Sequence, residues 1–309
     1  FEKRKDILIQ RNTIPVFYAL SQSLMPAVNY GKVNNKGYEV EVKWNDKFKN
    51  GDYWITGNMS YSKNKIIEMD EVTPNEPYMQ QTGKPTATVF GYVFDRFYRE
   101  DDFNADGTLK AGLPDPKIPV YPGDCKYVDL NGDNIIDTND VKDIGYPTRP
   151  AYTFGLNYGI NYKGWSLTMN WAGAAQRSLM LEQQYRNYFN GKKGGLMMFH
   201  VNERWTPETE STATLPRFSE RSASNNTQTS SVWIRNGNYL RLKTLQFGYT
   251  FTDRELLKKI GISQLTLTLS GYNLLTFTDF DILDPESRPG WGSTYPVSRI
   301  YNLGLNITF

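Results

Sequence analysis

Apolar and polar residues alternate one by one along much of this chain. GYEVEVKWN places Tyr38, Val40, Val42 and Trp44 on one side of an extended backbone, and Glu39, Glu41 and Lys43 on the other. YWITGNMSYS sets Tyr53, Ile55, Met59 and Tyr61 against Trp54, Thr56, Asn58 and Ser60. AYTFGLNYGINY is the most regular stretch: Tyr152, Phe154, Leu156, Tyr158, Ile160 and Tyr162 oppose Thr153, Gly155, Asn157, Gly159 and Asn161. WSLTMNWAG, LQFGYTF and QLTLTLSGYN repeat the pattern. So does the closing stretch, with Tyr301, Leu303, Leu305, Ile307 and Phe309 on one face. A period of two predicts strands with one apolar face. With the less regular FEKRKDILIQ, about eight strands are predicted, in an all-β fold.

The predicted connections alternate between short and long. NDKFKNGD and NYKG are tight turns, and TDRELLKKIGIS reads as one helical turn, with Thr252 and Glu255 at capping-box spacing and Gly261 as a stop. Residues 11–32, 69–150, 176–236 and 276–297 form long polar connections. Loops of that size are uncommon in compact domains. Tight turns at one end and long loops at the other is the organisation of outer-membrane barrels. Trp44, Tyr53, Tyr162, Trp165, Phe251 and Phe309 sit at the short-turn ends, where an interfacial girdle belongs. The apolar faces then meet lipid, and the fold is an antiparallel transmembrane β-barrel with long extracellular loops. Counting strands up and down puts both ends of the chain on the short-turn side. A soluble sandwich, with the apolar faces turned onto a second sheet, also alternates and is the alternative.

Composition changes this picture little. The chain has 309 residues and a net charge of +2, which argues against nucleic acid as the main partner. Twenty-one tyrosines suit strands whose rings are apolar at one end and wet at the other. The single cysteine, Cys125, cannot form an internal disulfide. No stretch approaches the roughly 20 apolar residues of a spanning helix, but spanning strands need only about 9–11 and alternate.

An eight-stranded barrel is just wide enough for its own side chains. The polar faces here carry many small residues, including Gly155, Gly159, Ser166, Thr168, Ser270 and Gly304, which suits one arc of a wider barrel. GKVNNKGYEVEVKW, KYVDLNGDNIIDTNDVKDIGYPTRPAYTFGLNYGINYKGW, WIRNGNYLRLKTLQFGYTF, GYNLLTFTDFDILDPE and the terminal aromatic resemble the C-terminal part of SusC-like TonB-dependent outer-membrane transporters of Bacteroidetes-type bacteria. The resemblance covers nearly the whole chain, in order. It implies that residues 1–309 are the last strands, about eight, of a barrel of about 22, with the plug, the TonB-contacting segment and the other strands outside this sequence. It also implies nutrient import of glycans or oligopeptides, energised by TonB, with a SusD-like surface lipoprotein as lid.

The sharpest chemical motif is DLNGDNIIDTND. Asp129, Asn131, Asp133, Asp137 and Asp140 occupy positions 1, 3, 5, 9 and 12 of a calcium loop, and the Ile135 carbonyl falls at position 7. Hard oxygens at that spacing predict a structural Ca2+ pinning the long extracellular loop. Asn134 replaces the usual glycine and can adopt a left-handed backbone; Asp140 replaces the usual glutamate. A solvated acidic turn is the alternative. Asp102, Asn104 and Asp106 match the motif in part and read as a turn. His200 is the single histidine, which removes His-based triads and multi-histidine metal centres; it is expected to be an exposed loop residue. GKPT at 83–86 is no phosphate loop. No pair among the 33 acids is marked for glycoside cleavage, so the chain reads as no enzyme. Tyr185, Tyr188, Phe189, Trp205 and Trp233 in the 176–236 loop could stack on a substrate or pack the loops together. The alternative function is a soluble, calcium-stabilised β-module of a secreted carbohydrate-active protein; a small complete barrel acting as an adhesin is a third.

Overall fold

The computed structural model describes residues 1–11, 13, 26–182, 185–186, 195–219, 225–251, 254–259, 261–287, 295 and 297–309. Its main element is one antiparallel sheet that meanders without a crossover. The strands are β1 (Glu2–Gln10), β2 (Ala27–Phe48), β3 (Gly51–Glu68), β4 (Tyr152–Tyr162), β5 (Trp165–Ala175), β6 (Tyr239–Phe251), β7 (Gln264–Thr278) and β8 (Ile300–Thr308). Each pairs with its neighbours in sequence, so β1 and β8 are free edges and the sheet is an open arc.

The register carries the alternation across the strands. Trp44, Ile55, Tyr158, Met169 and Leu245 form one apolar rung, which continues through Gly271 to Tyr301. The next holds Tyr53, Ile160, Leu167, Phe247, Leu269 and Leu303. A slip of one residue in any strand would turn its apolar set to the other face, so this agreement fixes the pairing. Among the described residues nothing covers that face: Val42, Leu269 and Leu305 are 63%, 55% and 61% exposed. A sandwich would need a second sheet there. Among the described residues the other paired strands are two-stranded and lie in the loops.

Aromatics bound the apolar face at both ends. At the short-turn end Trp44 donates from Nε1 to the Tyr53 hydroxyl at 3.1 Å, Phe48 stacks on Tyr162 at 5.9 Å, and Trp165 lies 4.5 Å from Tyr249. At the other end Tyr38, Tyr61 and Tyr152 form a row, their centroids 5.4 and 4.6 Å apart. From Tyr38 to Phe48 are ten residue steps; at ~3.3 Å each and ~40° tilt the band is ~25 Å tall, the height of a lipid-facing barrel belt.

The turns follow from local chemistry. Lys163 and Gly164 join β4 to β5 with φ of +48° and +87°, both positive as the common hairpin turn requires. Helix α2, Arg254–Lys259, forms where one helical turn is predicted, and Gly261 stops it at φ +74°; Thr252 lies outside the described residues. One expectation is corrected. β1 pairs with Ala27–Asn35 of β2, beyond the Tyr38 row, so Phe1 lies level with Lys36 on the long-loop side and not at the short-turn rim. The 22-residue β2 is about twice as long as a membrane crossing needs, and β1 pairs with its surplus.

The hydrophobic core lies in the long connections, not in the sheet. Phe90–Tyr92 pairs with Val141–Asp143, Phe94–Phe97 with Cys125–Tyr127, and Ser178–Met180 with Ile234–Asn236. Around them pack Leu179, Leu181, Leu215, Trp233 and Phe280, all at most 1% exposed. His200, expected in solvent, is fully buried in this core. It belongs to α1 (Met198–Glu203), accepts from the Met197 N–H at Nδ1 (3.0 Å) and places Nε2 3.0 Å from the Tyr185 carbonyl. A neutral imidazole with two such partners can be buried at little cost.

Candidate functional site

The face opposite the apolar rungs is polar and largely small-residued. Thr56, Asn157, Asn170 and Thr244 form one polar rung. Asn170 donates to the Asn157 side chain, Asn161 to Asp52 at 3.0 Å, and the Thr250 and Thr266 hydroxyls meet at 3.0 Å. Trp54 is set into this wall. Its indole lies against Gly159, where a Cβ would come within 2.4 Å of the ring. Glycine therefore lets a large ring lie close to the wall and leave the space in front of the sheet open.

Over the long-loop end of this face runs the segment 279–287, held by ions. Arg241 of β6 is 2% exposed. It donates from Nη2 to Asp284 at 2.5 Å, from Nη1 to Glu286 at 2.8 Å and from Nε to the Thr276 hydroxyl at 2.9 Å. Lys243 and the Tyr239 hydroxyl complete the Glu286 carboxylate at 2.5 and 2.8 Å. Burial would push the Glu286 carboxyl up, but Lys243 and Tyr239 outweigh it and hold it below its ordinary value. Two cations balance two anions, and Phe280 anchors the same segment in the loop core. Sequence reading missed this cluster, because Arg241 is separated from Asp284 by 43 residues; the signal present was the acidic DILDPE after a strand.

A second polar hub ties two long loops together. Asp124, 2% exposed, takes Arg217 at Nε 2.7 and Nη2 3.3 Å and the Asn226 amide at 2.8 Å. Asn226 also accepts from the Cys125 N–H at 2.8 Å, and its carbonyl accepts from Trp233 Nε1 at 2.9 Å. The Cys125 thiol is fully enclosed, and burial pushes it far above the ordinary thiol range, so it is no nucleophile. Tyr185, Trp205 and Trp233 are buried in the loop core and pack the loops together; they present no stacking surface. Tyr188 and Phe189 lie outside the described residues.

The 129–140 loop is compact and self-bonded. Asp129 accepts from the N–H groups of Gly132 and Asn134 at 2.7 and 2.8 Å. Asn131 and Asp133 accept from the N–H groups two residues on, those of Asp133 and Ile135, at 3.1 and 2.8 Å. Asp137 caps Asn139 at 2.7 Å, and the buried Asp140 clasps the loop shut through Leu130 and Asp137 N–H at 2.7 and 2.9 Å. Asn134 takes the left-handed φ of +62° that glycine usually supplies. The donors are hard oxygens suited to Ca2+, and each retains lone pairs beyond those the amides use. Among the described residues, however, no three acidic, histidine or cysteine side chains converge as a ready metal site. In the partial match, Asp102 is spent on Arg96 at 2.6 and 2.7 Å, and Asp106 makes a turn with Thr108.

Comparison with known proteins agrees with this architecture. The chain is 29% identical over 334 residues to TonB-dependent receptor P26 of Formosa agariphila, covering 100% of this chain and 32% of that protein. It is 28% identical to TonB-dependent receptor P3 of the same organism, over 99% and 31%. Among solved structures, the RagAB peptide importer in its open-open state superposes with a TM-score of 0.68 at 21% identity, covering 99% of this chain and 32% of that one. Its closed-closed state gives 0.66 at 20% identity, with the same coverage. No family profile matches. The chain thus spans about a third of the length of the relatives it matches. The resemblance drawn from its motifs stands, and the fold is that of a stretch of β-barrel wall with long loops at one end.

Proposed function

We propose that this chain forms part of the barrel wall of a SusC-like, TonB-energised importer in the outer membrane, and that it is a transporter component and not an enzyme. The observation that carries this reading is the one-sided sheet, whose apolar rungs end in aromatic rows ~25 Å apart and, among the described residues, are covered by no second layer. The polar face would line the passage, and the ion-held 279–287 segment and the loop core would shape its outer mouth. Energy comes from TonB acting on parts outside this sequence. A SusD-like surface lipoprotein would cover the mouth. The cargo is glycans or oligopeptides; similarity to a peptide importer supports the second.

The test is deletion and complementation of the full-length gene in its own host. Loss of growth on oligopeptides, or on a glycan, as sole source, with rescue that fails when TonB is inactivated, is expected. Growth indifferent to the gene on every such source, or recovery of the protein outside the outer membrane, refutes the reading.

The same proposal assigns a structural Ca2+ to Asp129, Asn131, Asp133, the Ile135 carbonyl, Asp137 and Asp140. Spacing and the left-handed Asn134 support it. Calcium should protect residues 120–150 from protease, and Asp133→Ala should remove that protection. Identical cleavage with calcium and with chelator would refute it.

A further inference from the structure

Above the Tyr38–Tyr61–Tyr152 row the outward face does not simply become polar; it becomes cationic. Lys36 stands two residues before Tyr38 and Lys63 two after Tyr61, so both project on the same side as those rings. They are direct partners across β2 and β3. One rung further from the band, Asn34 pairs with Lys65 of β3 and with Lys3 of β1. Four amines thus occupy two rungs and three strands, an area of roughly 7 by 10 Å. All four are exposed, and none makes an ion pair with an acid among the described residues. Lys3 and Lys36 place their Nζ 5.2 and 5.9 Å from the Phe1 ring, so an apolar surface continues beside the charges. Like charges directly opposite in a sheet repel and are destabilising. An anion held between Lys36 and Lys63 would relieve that repulsion.

We propose that Lys3, Lys36, Lys63 and Lys65 form a binding site for the phosphate of a lipid headgroup in the outer leaflet. The inference rests on the membrane reading given above, which puts the long-loop side outward. The height of the patch selects a membrane lipid as the source. It lies one rung beyond the aromatic row, where headgroups begin, and its amines share a face with the side chains that meet acyl tails. The opposite, passage-lining face at this level has Asn35, Asn64 and Ser62, linked by a 2.9 Å bond between Ser62 and Asn35, and no such lysines.

The test uses the full-length transporter purified in detergent, with monophosphoryl lipid A and its dephosphorylated form as probes, read by native mass spectrometry. Wild type should retain the phosphorylated lipid and not the dephosphorylated one. Lys36→Gln/Lys63→Gln should weaken retention roughly 30-fold, from the usual contribution of a lysine beside an anionic surface. Millimolar inorganic phosphate should leave the lipid bound. Equal retention by the variant, equal binding of the dephosphorylated lipid, or displacement by inorganic phosphate alone would each overturn the proposal. Heat-dependent gel mobility shows that both proteins are folded. Recovery of wild type outside the outer membrane would defeat the membrane reading and this inference with it. A correctly localised protein whose lipid retention ignores the lysines would defeat only the inference.

Discussion

Replacing Arg241 by methionine should release the 279–287 segment from the barrel wall without unfolding the wall. Arg241 is almost fully buried and serves two carboxylates and a threonine hydroxyl at once. Breaking a buried ion pair by removing one partner costs about 3–5 kcal/mol, chiefly because the remaining charge is left unpaired. Here the loss is uneven. Glu286 keeps Lys243 and Tyr239. Among the described residues, Asp284 keeps only the Glu286 N–H, at 2.9 Å, on its other oxygen, with its side chain 12% exposed. The lower end, about 3 kcal/mol, is therefore expected. Hydrogen exchange of the full-length protein in detergent reads this directly: amides of 279–287 should exchange roughly 100-fold faster, while those of β6 and β7 below the bulge stay protected. Adding Asp284→Asn and Glu286→Gln removes the orphaned charges and should recover most of the loss. If exchange in 279–287 is unchanged in a folded Arg241→Met protein, Phe280 and the loop core hold the segment by themselves, and the ionic account of its anchoring is wrong.

His200 supplies a pH test of the loop core. Burial lowers its pKa below the ordinary imidazole value, against a smaller opposing effect of the Tyr185 carbonyl. The unfolded loop therefore binds the proton more readily; the stability due to the neutral ring is full above about pH 6.5 and falls as pH drops below it. Proteolysis of 195–236 should speed up between pH 7.5 and 5 in wild type and lose that dependence in His200→Gln; the same pH response in both would refute it. For the wall, Leu267→Arg should cost about 2–4 kcal/mol on the lipid side, whereas Thr268→Arg on the polar side should cost little. Yield of heat-modifiable protein in the outer membrane separates the two, and equal yields would contradict the assignment of faces.

The sheet was legible because a strand with one buried or lipid-facing side must alternate, and Tyr152 to Tyr162 alternate without a break. Strand ends were less legible. β2 runs eleven residues before Tyr38 through AVNYGKVNNKG, where no apolar face exists to announce it. That hidden extension is also why the level of Phe1 could not be read from counting strands. The loop core was illegible for a different reason. Its members, such as Leu179, Leu215, Trp233 and Phe280, come from separate connections and show no period. Their contacts exist only once the wall has brought the loop ends together. His200 belongs to that group: nothing in FHVNERW distinguishes a buried, doubly bonded ring from one in water.

The division of labour between wall and loops follows from the same physics. Each inner strand of the wall, β2 to β7, pairs on both sides, and on the proposed reading its apolar side chains gain their burial from lipid, so the sheet needs no protein core. The loops stand in water and cannot use that source. They therefore bury Trp233, Tyr127 and Leu179 against one another and close their polar groups through Asp124, Asn225 and Asn226, as a small soluble domain would. The two parts are coupled through one nine-residue segment, 279–287, which Arg241 holds to the wall and whose own Phe280 is buried in the loop core. Any displacement of the loop core is thereby tied mechanically to the polar face of the wall.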